Sequence, residues 1–117
     1  MQEQGTPPAG TGGEQYYIED GVHRAVALRE NGIVQGIPAV LFTPGQSPRR
    51  IYARLDQLHS PRLTVSRTVT PRRNYPAMEA WLATPRSRSQ MPPLHVQPLG
   101  APGQSASVPL SQVQIVP

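Results

Sequence analysis

The chain has 117 residues, 37% of them hydrophobic, which suits one small domain and leaves no room for two substantial cores. It contains neither cysteine nor lysine, which excludes a disulfide framework, a Cys-ligated metal, a thiol nucleophile, a Schiff-base lysine and a P-loop lysine. Fifteen prolines and ten glycines argue for short elements joined by many turns, and the net charge of +4 rests on eleven arginines.

Residues 1–15 are rich in Gly, Pro, Gln and Thr and read as a disordered tail or linker; residues 16–117 read as the folded domain. The tail has no basic segment followed by an apolar one, so no signal peptide is expected. No apolar run reaches the ~18–20 residues of a membrane span. Tyr16-Tyr17-Ile18 is a β-prone run, broken by Glu19-Asp20-Gly21. Val22 to Glu30 reads as a helix, with Val22, Ala25 and Val26 at i, i+3, i+4, a cap at Asp20 or Gly21, and a stop at Asn31-Gly32. Ile37 to Phe42 is a continuous apolar run, expected to be a strand buried on both faces. Ser47-Pro48 has the form of an N-cap and N1 proline. With Ile51, Leu55 and Leu58 at i, i+4, i+7, it predicts a helix to about His59. Leu63 to Val69 alternates as a half-buried strand, with Arg67 on its apolar side. Asn74 to Thr84 predicts a short helix placing Met78, Trp81 and Leu82 on one face, with Trp81 in the core and Pro85 as the stop. Two further β-prone stretches lie around Leu94 to Leu99 and Val108 to Val116. The order β-α-β-α-β-α-β-β predicts a small single α+β domain, a mixed sheet with short helices.

The charge is unevenly placed. Residues 1–45 carry net −3, residues 46–88 carry net +7, and residues 89–117 carry no formal charge. The basic block suits a polyanion, with Arg49, Arg50, Arg54, Arg72 and Arg73 as candidate nucleic-acid contacts, joined by Arg62 and Arg67. On the predicted helix, Arg50 and Arg54 project together, and Tyr52 and Tyr75 interleave with the arginines as possible stacking surfaces. The plainer reading is a solvated arginine surface.

The segment Tyr17 to Ala27 is strand, tight turn and helix start. Gly21 allows close backbone approach, and the first-turn amides of Val22, His23 and Arg24 make an anion site by construction. His23 and Arg24 add a titratable donor and a permanent cation there. Glu19 and Asp20 are candidates for proton transfer or for helping to hold a divalent ion beside a phosphate. The plainer reading pairs Arg24 with Glu19 or Asp20 and leaves His23 as surface polarity. His59 and His95 stand too far apart for a spacing argument, and no metal-ligand set is read.

Residues 16–42, YYIEDGVHRAVALRENGIVQGIPAVLF, resemble the segment around the G-x-H-R motif of the ParB/sulfiredoxin-like superfamily. The matching positions are Asp20, Gly21, His23, Arg24, Ala27, Ile37, Pro38 and Val40. The resemblance implies a small α+β domain that holds nucleotide phosphates at the helix start through Gly21, His23 and Arg24, with ATP or CTP and Mg²⁺ as the implied cofactors. Catalytic roles would fall to His23, Arg24, Glu19 and Asp20 in a nuclease, nucleotide hydrolase or phosphotransferase. Sulfiredoxins carry a reactive cysteine just before the His-Arg pair; here that residue is Val22, which excludes their chemistry. The helix-turn-helix region and second nucleotide motif of chromosome-partition proteins are not found. In the family, a strand of the type "VPLSxI" precedes the motif. Here Val108-Pro109-Leu110-Ser111-Gln112-Val113 lies after it, as a circular permutation would place it.

Three functions are therefore open. One is a ParB-like enzyme or nucleotide-binding domain. Another is a non-catalytic module that takes nucleic acid or an acidic protein through the arginine block. The third is a toxin or effector domain. The expected setting is cytoplasmic and non-membrane, with delivery by a signal-peptide-independent route in the effector case.

Overall fold

A computed structural model describes residues 14–67 and 78–117. Strand β1 (Tyr16–Asp20) leads through Gly21 into helix α1 (Val22–Glu30), followed by β2 (Ile37–Leu41) and β3 (Arg49–Ala53). A 3-10 turn (Leu55–Gln57) runs directly into β4 (Leu58–Ser60), and β5 (Thr64–Ser66) follows. Helices α2 (Met78–Ala83) and α3 (Pro85–Arg88) precede β6 (Leu94–Pro98). The chain then forms β7 (Val108–Pro109), a second 3-10 turn (Leu110–Gln112) and β8 (Gln114–Val116).

Six strands form one mixed sheet in the order β3-β2-β6-β1-β4-β7, and β5 and β8 pair separately in parallel. Within the main sheet, β2 runs parallel to β6 and β1 parallel to β4, while the other neighbours are antiparallel. The expected small α+β domain with a mixed sheet and short helices is what forms. Among the described residues, no helix is long and apolar enough to cross a membrane.

The sheet register sorts side chains cleanly by face, because strand residues two apart share a side. Ile18, Ile37, Ala39, Leu41, Ile51, Ala53, Leu94 and Val96 all lie on one face and are buried. Helix α1 contributes Val22, Ala25, Val26, Ala27 and Leu28 to the same core. Trp81 and Leu82 pack half-buried against it. Each large aliphatic side chain buried there contributes about 1.5–3 kcal/mol relative to exposure.

The predicted helix from Ser47 to His59 does not form. Residues 49–53 are strand β3, residues 55–57 a 3-10 turn and residues 58–60 strand β4. Exposed Arg50 and Tyr52 alternate with buried Ile51 and Ala53, a period of two that small Ala53 conceals from a count of large apolar residues. Pairing with β2 along its whole length then overrides the helical spacing of Ile51, Leu55 and Leu58. Arg50 and Arg54 consequently share no helical face.

Smaller differences have equally local causes. Strand β1 continues through Glu19 to Asp20, with a register shift between Ile18 and Asp20. The strand expected over residues 63–69 is β5, Thr64–Ser66; Arg67 lies beyond its end and is exposed, and Val69 is outside the described residues. Of the helix expected from Asn74, residues 78–83 are helical and residues 74–77 are outside the described residues. Pro85 starts α3 at its first position rather than merely ending α2, and the Thr84 hydroxyl caps α3 by accepting the Ser87 N–H at 3.0 Å. The last β-prone stretch is split by its 3-10 turn. Its first part, β7, pairs antiparallel with β4 at the edge of the main sheet.

Candidate functional site at the start of helix α1

Gly21 is the N-cap of α1, with φ 108° and ψ 17°, in the left-handed region that favours glycine. A Cβ built there would lie 2.6 Å from Leu94 Cδ2 and 2.9 Å from Arg24 Nη2. Glycine is therefore required twice, by backbone conformation and by the close approach of β6. The first intrahelical bond runs from the Ala25 N–H to the Gly21 carbonyl at 2.9 Å, so the amides of Val22, His23 and Arg24 precede the helical ladder. No side chain caps them, and the first turn holds no acid. The helix dipole thus ends in unscreened amides. Val22 offers only its backbone, because its side chain is in the core.

The Arg24 guanidinium is held in place. Its Nη2 donates to the Pro93 carbonyl at 3.2 Å and lies 3.7 Å from Asp20 Oδ2. The side chain is only 15% exposed, and its buried Nε has no hydrogen-bond partner. The Arg24–Asp20 pairing foreseen as the plainer reading is present, yet it leaves donor capacity unused. Asp20 itself is well exposed. Glu19, also exposed, accepts a hydrogen bond from Gln97 Nε2 at 2.9 Å.

His23 is half-buried. Burial pushes its pKa below the ordinary 6.5, and the positive charge of Arg62 pushes the same way. His23 is therefore neutral at pH 7, with one ring nitrogen able to accept a proton. Arg62 arrives from the turn after β4, where the Ser60 hydroxyl accepts the Arg62 N–H at 2.9 Å and donates to the Arg62 carbonyl at 2.8 Å. Because β1 and β4 are parallel neighbours, both turns leave the same end of the sheet. Sequence reasoning grouped Arg62 with the arginine block but had no signal for its place beside His23.

The other candidate residues disperse. Arg49 and Arg50 are on edge strand β3, and Arg54 pairs with Asp56 at 3.1 Å. Arg72, Arg73 and Tyr75 lie outside the described residues. His59 bonds the Gln15 side chain at 2.7 Å, and burial lowers its pKa too. His95 packs edge-on against Phe42, with ring centroids 5.2 Å apart. Among the described residues, no three His, Cys, Asp or Glu side chains gather into a metal-sized cluster. A cleft of about 470 Å³ lined by Tyr16, Leu41, Thr43, Arg49 and Pro98 lies at the opposite end of the sheet from Gly21 and is not part of this site. No protein-family model matches the chain, and comparison with curated proteins and with solved structures brings up no similar protein.

Proposed function

We propose that the Gly21–Arg24 turn binds a phosphate group of a nucleotide or nucleic acid. The observation that carries the reading is the uncapped α1 start, built on a glycine that admits no side chain, with an anchored and under-satisfied Arg24 beside it. The free amides of residues 22–24 would accept the phosphate oxygens, and Arg24 would balance their charge. Neutral His23 is suited to take a proton from an attacking water or hydroxyl, in the manner of a nuclease or a nucleotide hydrolase. Any Mg²⁺ would come largely with the nucleotide, since no metal-sized cluster of ligating side chains gathers among the described residues and the turn itself carries Glu19 and Asp20. The place of β7 in the main sheet supports a permuted ParB-like strand order as part of the same reading.

Calorimetric titration of ATP, CTP and ADP with Mg²⁺, followed by hydrolysis and plasmid-nicking assays, tests this. Binding by the wild type, weakened at least tenfold in Arg24→Ala, is expected. No binding and no turnover would sink the function. Equal binding by Arg24→Ala would sink the site assignment.

A further inference from the structure

The face of the main sheet opposite the core carries a second, separate feature. In the register, Arg50 lies opposite Val40, and Val40 opposite His95, so these three share one row across β3, β2 and β6. Tyr52, opposite Pro38, is two residues along β3 on the same face, about 6.6 Å from Arg50. Arg50, Tyr52 and His95 are all exposed, Tyr52 to 47%. Phe42 braces the His95 ring edge-on, which fixes one aromatic plane on this surface. Arg50 Nη2 donates to the Ser89 carbonyl at 2.6 Å and Ser89 Oγ to the Arg86 carbonyl at 2.7 Å, which brings α3 and exposed Arg86 to the same edge. Arg86 joins no ion pair among the described residues.

We propose that this face binds single-stranded nucleic acid, with bases stacked on Tyr52 and His95 and phosphates met by Arg50 and Arg86. Exposed rings on a sheet are useful to unpaired bases and not to a closed duplex, whose bases are already stacked. The charge distribution sets the path. Strand β3 and helix α3 carry arginines and no acid and β2 carries no charge, whereas Glu19 and Asp20 border the face on the β1 side. A phosphate backbone is therefore held along β3 and turned away from β1. Helix α1 lies against the other face, so this surface and the helix start share none of the side chains proposed to meet bases or phosphates.

Fluorescence anisotropy with a labelled oligothymidylate of about 12 nucleotides, at low salt, is the test. The wild type should bind, Tyr52→Phe should bind as the wild type does, and Tyr52→Ala should weaken binding about five- to hundredfold. Arg86→Ala should flatten the log affinity against log salt slope by about 0.7. Excess ATP should not displace the oligonucleotide. The proposal is overturned if the wild type does not bind, if Tyr52→Ala binds equally well, or if a duplex of the same length binds as tightly. Displacement by ATP would overturn it as well, by moving the oligonucleotide to the helix start. Failure of nucleotide binding with oligonucleotide binding intact would remove only the reading of Gly21–Arg24.

Discussion

The two arginines of helix α1 are equally sheltered and differently used. Arg24, near the start, and Arg29, near the end, each expose 15% of the side chain. Arg29 is nearly saturated. Its Nη1 donates to the carbonyls of Leu110 at 2.8 Å and Val113 at 2.6 Å, while Nε and Nη2 reach Glu30. It clamps the last 3-10 turn to the helix, with four of its five N–H donors engaged. Arg24 holds one carbonyl and a distant carboxylate, and its Nε holds nothing. Burial alone therefore does not decide how far a cation is committed to the fold; the fraction of donors already engaged does.

The contrast can be broken experimentally from either end of the helix. Arg29→Ala leaves two carbonyls without their charged donor and should cost about 2–4 kcal/mol, read as a lowered urea midpoint at unchanged m-value. A loss no larger than that of Arg24→Ala would erase the distinction. Gly21→Ala places a side chain in a left-handed conformation and against Leu94, for a loss of about 2 kcal/mol, and it pushes on the Arg24 guanidinium as well. Nucleotide affinity should fall with it; retained affinity would show that the turn geometry is not what the phosphate meets.

The smallest effect is pH dependence. The folded pKa of His23 lies below its unfolded value, so the unfolded chain binds more protons as pH falls through 6.5. The contribution of His23 to stability is complete above that pH and declines below it, towards the depressed folded pKa. His23→Gln should flatten the stability profile in this window, and an unchanged profile would contradict the burial argument. A bound phosphate opposes the shift by favouring the protonated ring, so ligand binding should take up protons at pH 6.

The sequence was most legible where its punctuation was strong. Gly21 and Asn31-Gly32 bracket α1, and the apolar run at residues 37–41 has strand length, so both elements could be placed in advance. The uncapped helix start at residues 21–24 was legible for the same reason, since it resides in local backbone. What surrounds that turn was not. Leu94 and the preceding Pro93 come from the start of β6, far along the chain, and Arg62 from a different turn, and nothing local encodes their proximity. Residues 47–59 misled because Ile51, Leu55 and Leu58 satisfy a helical period, while the alternation that decides the matter depends on a small alanine and on pairing with β2. The exposed face with Tyr52 and His95 was out of reach until β3 was known to be a strand.

The placement of β1 also governs how the molecule must be assembled. Ile18 sits between β6 and β4, and its antiparallel partner is Val96, most of the chain away. Helix α1 can begin locally, but the buried strand that precedes it has no neighbour until β4 is available and none on its other side until β6 arrives. Such distant pairing raises contact order, so refolding should be slow for a domain of this size. The cost is an aggregation-prone interval in which Tyr16, Tyr17 and Ile18 remain uncovered.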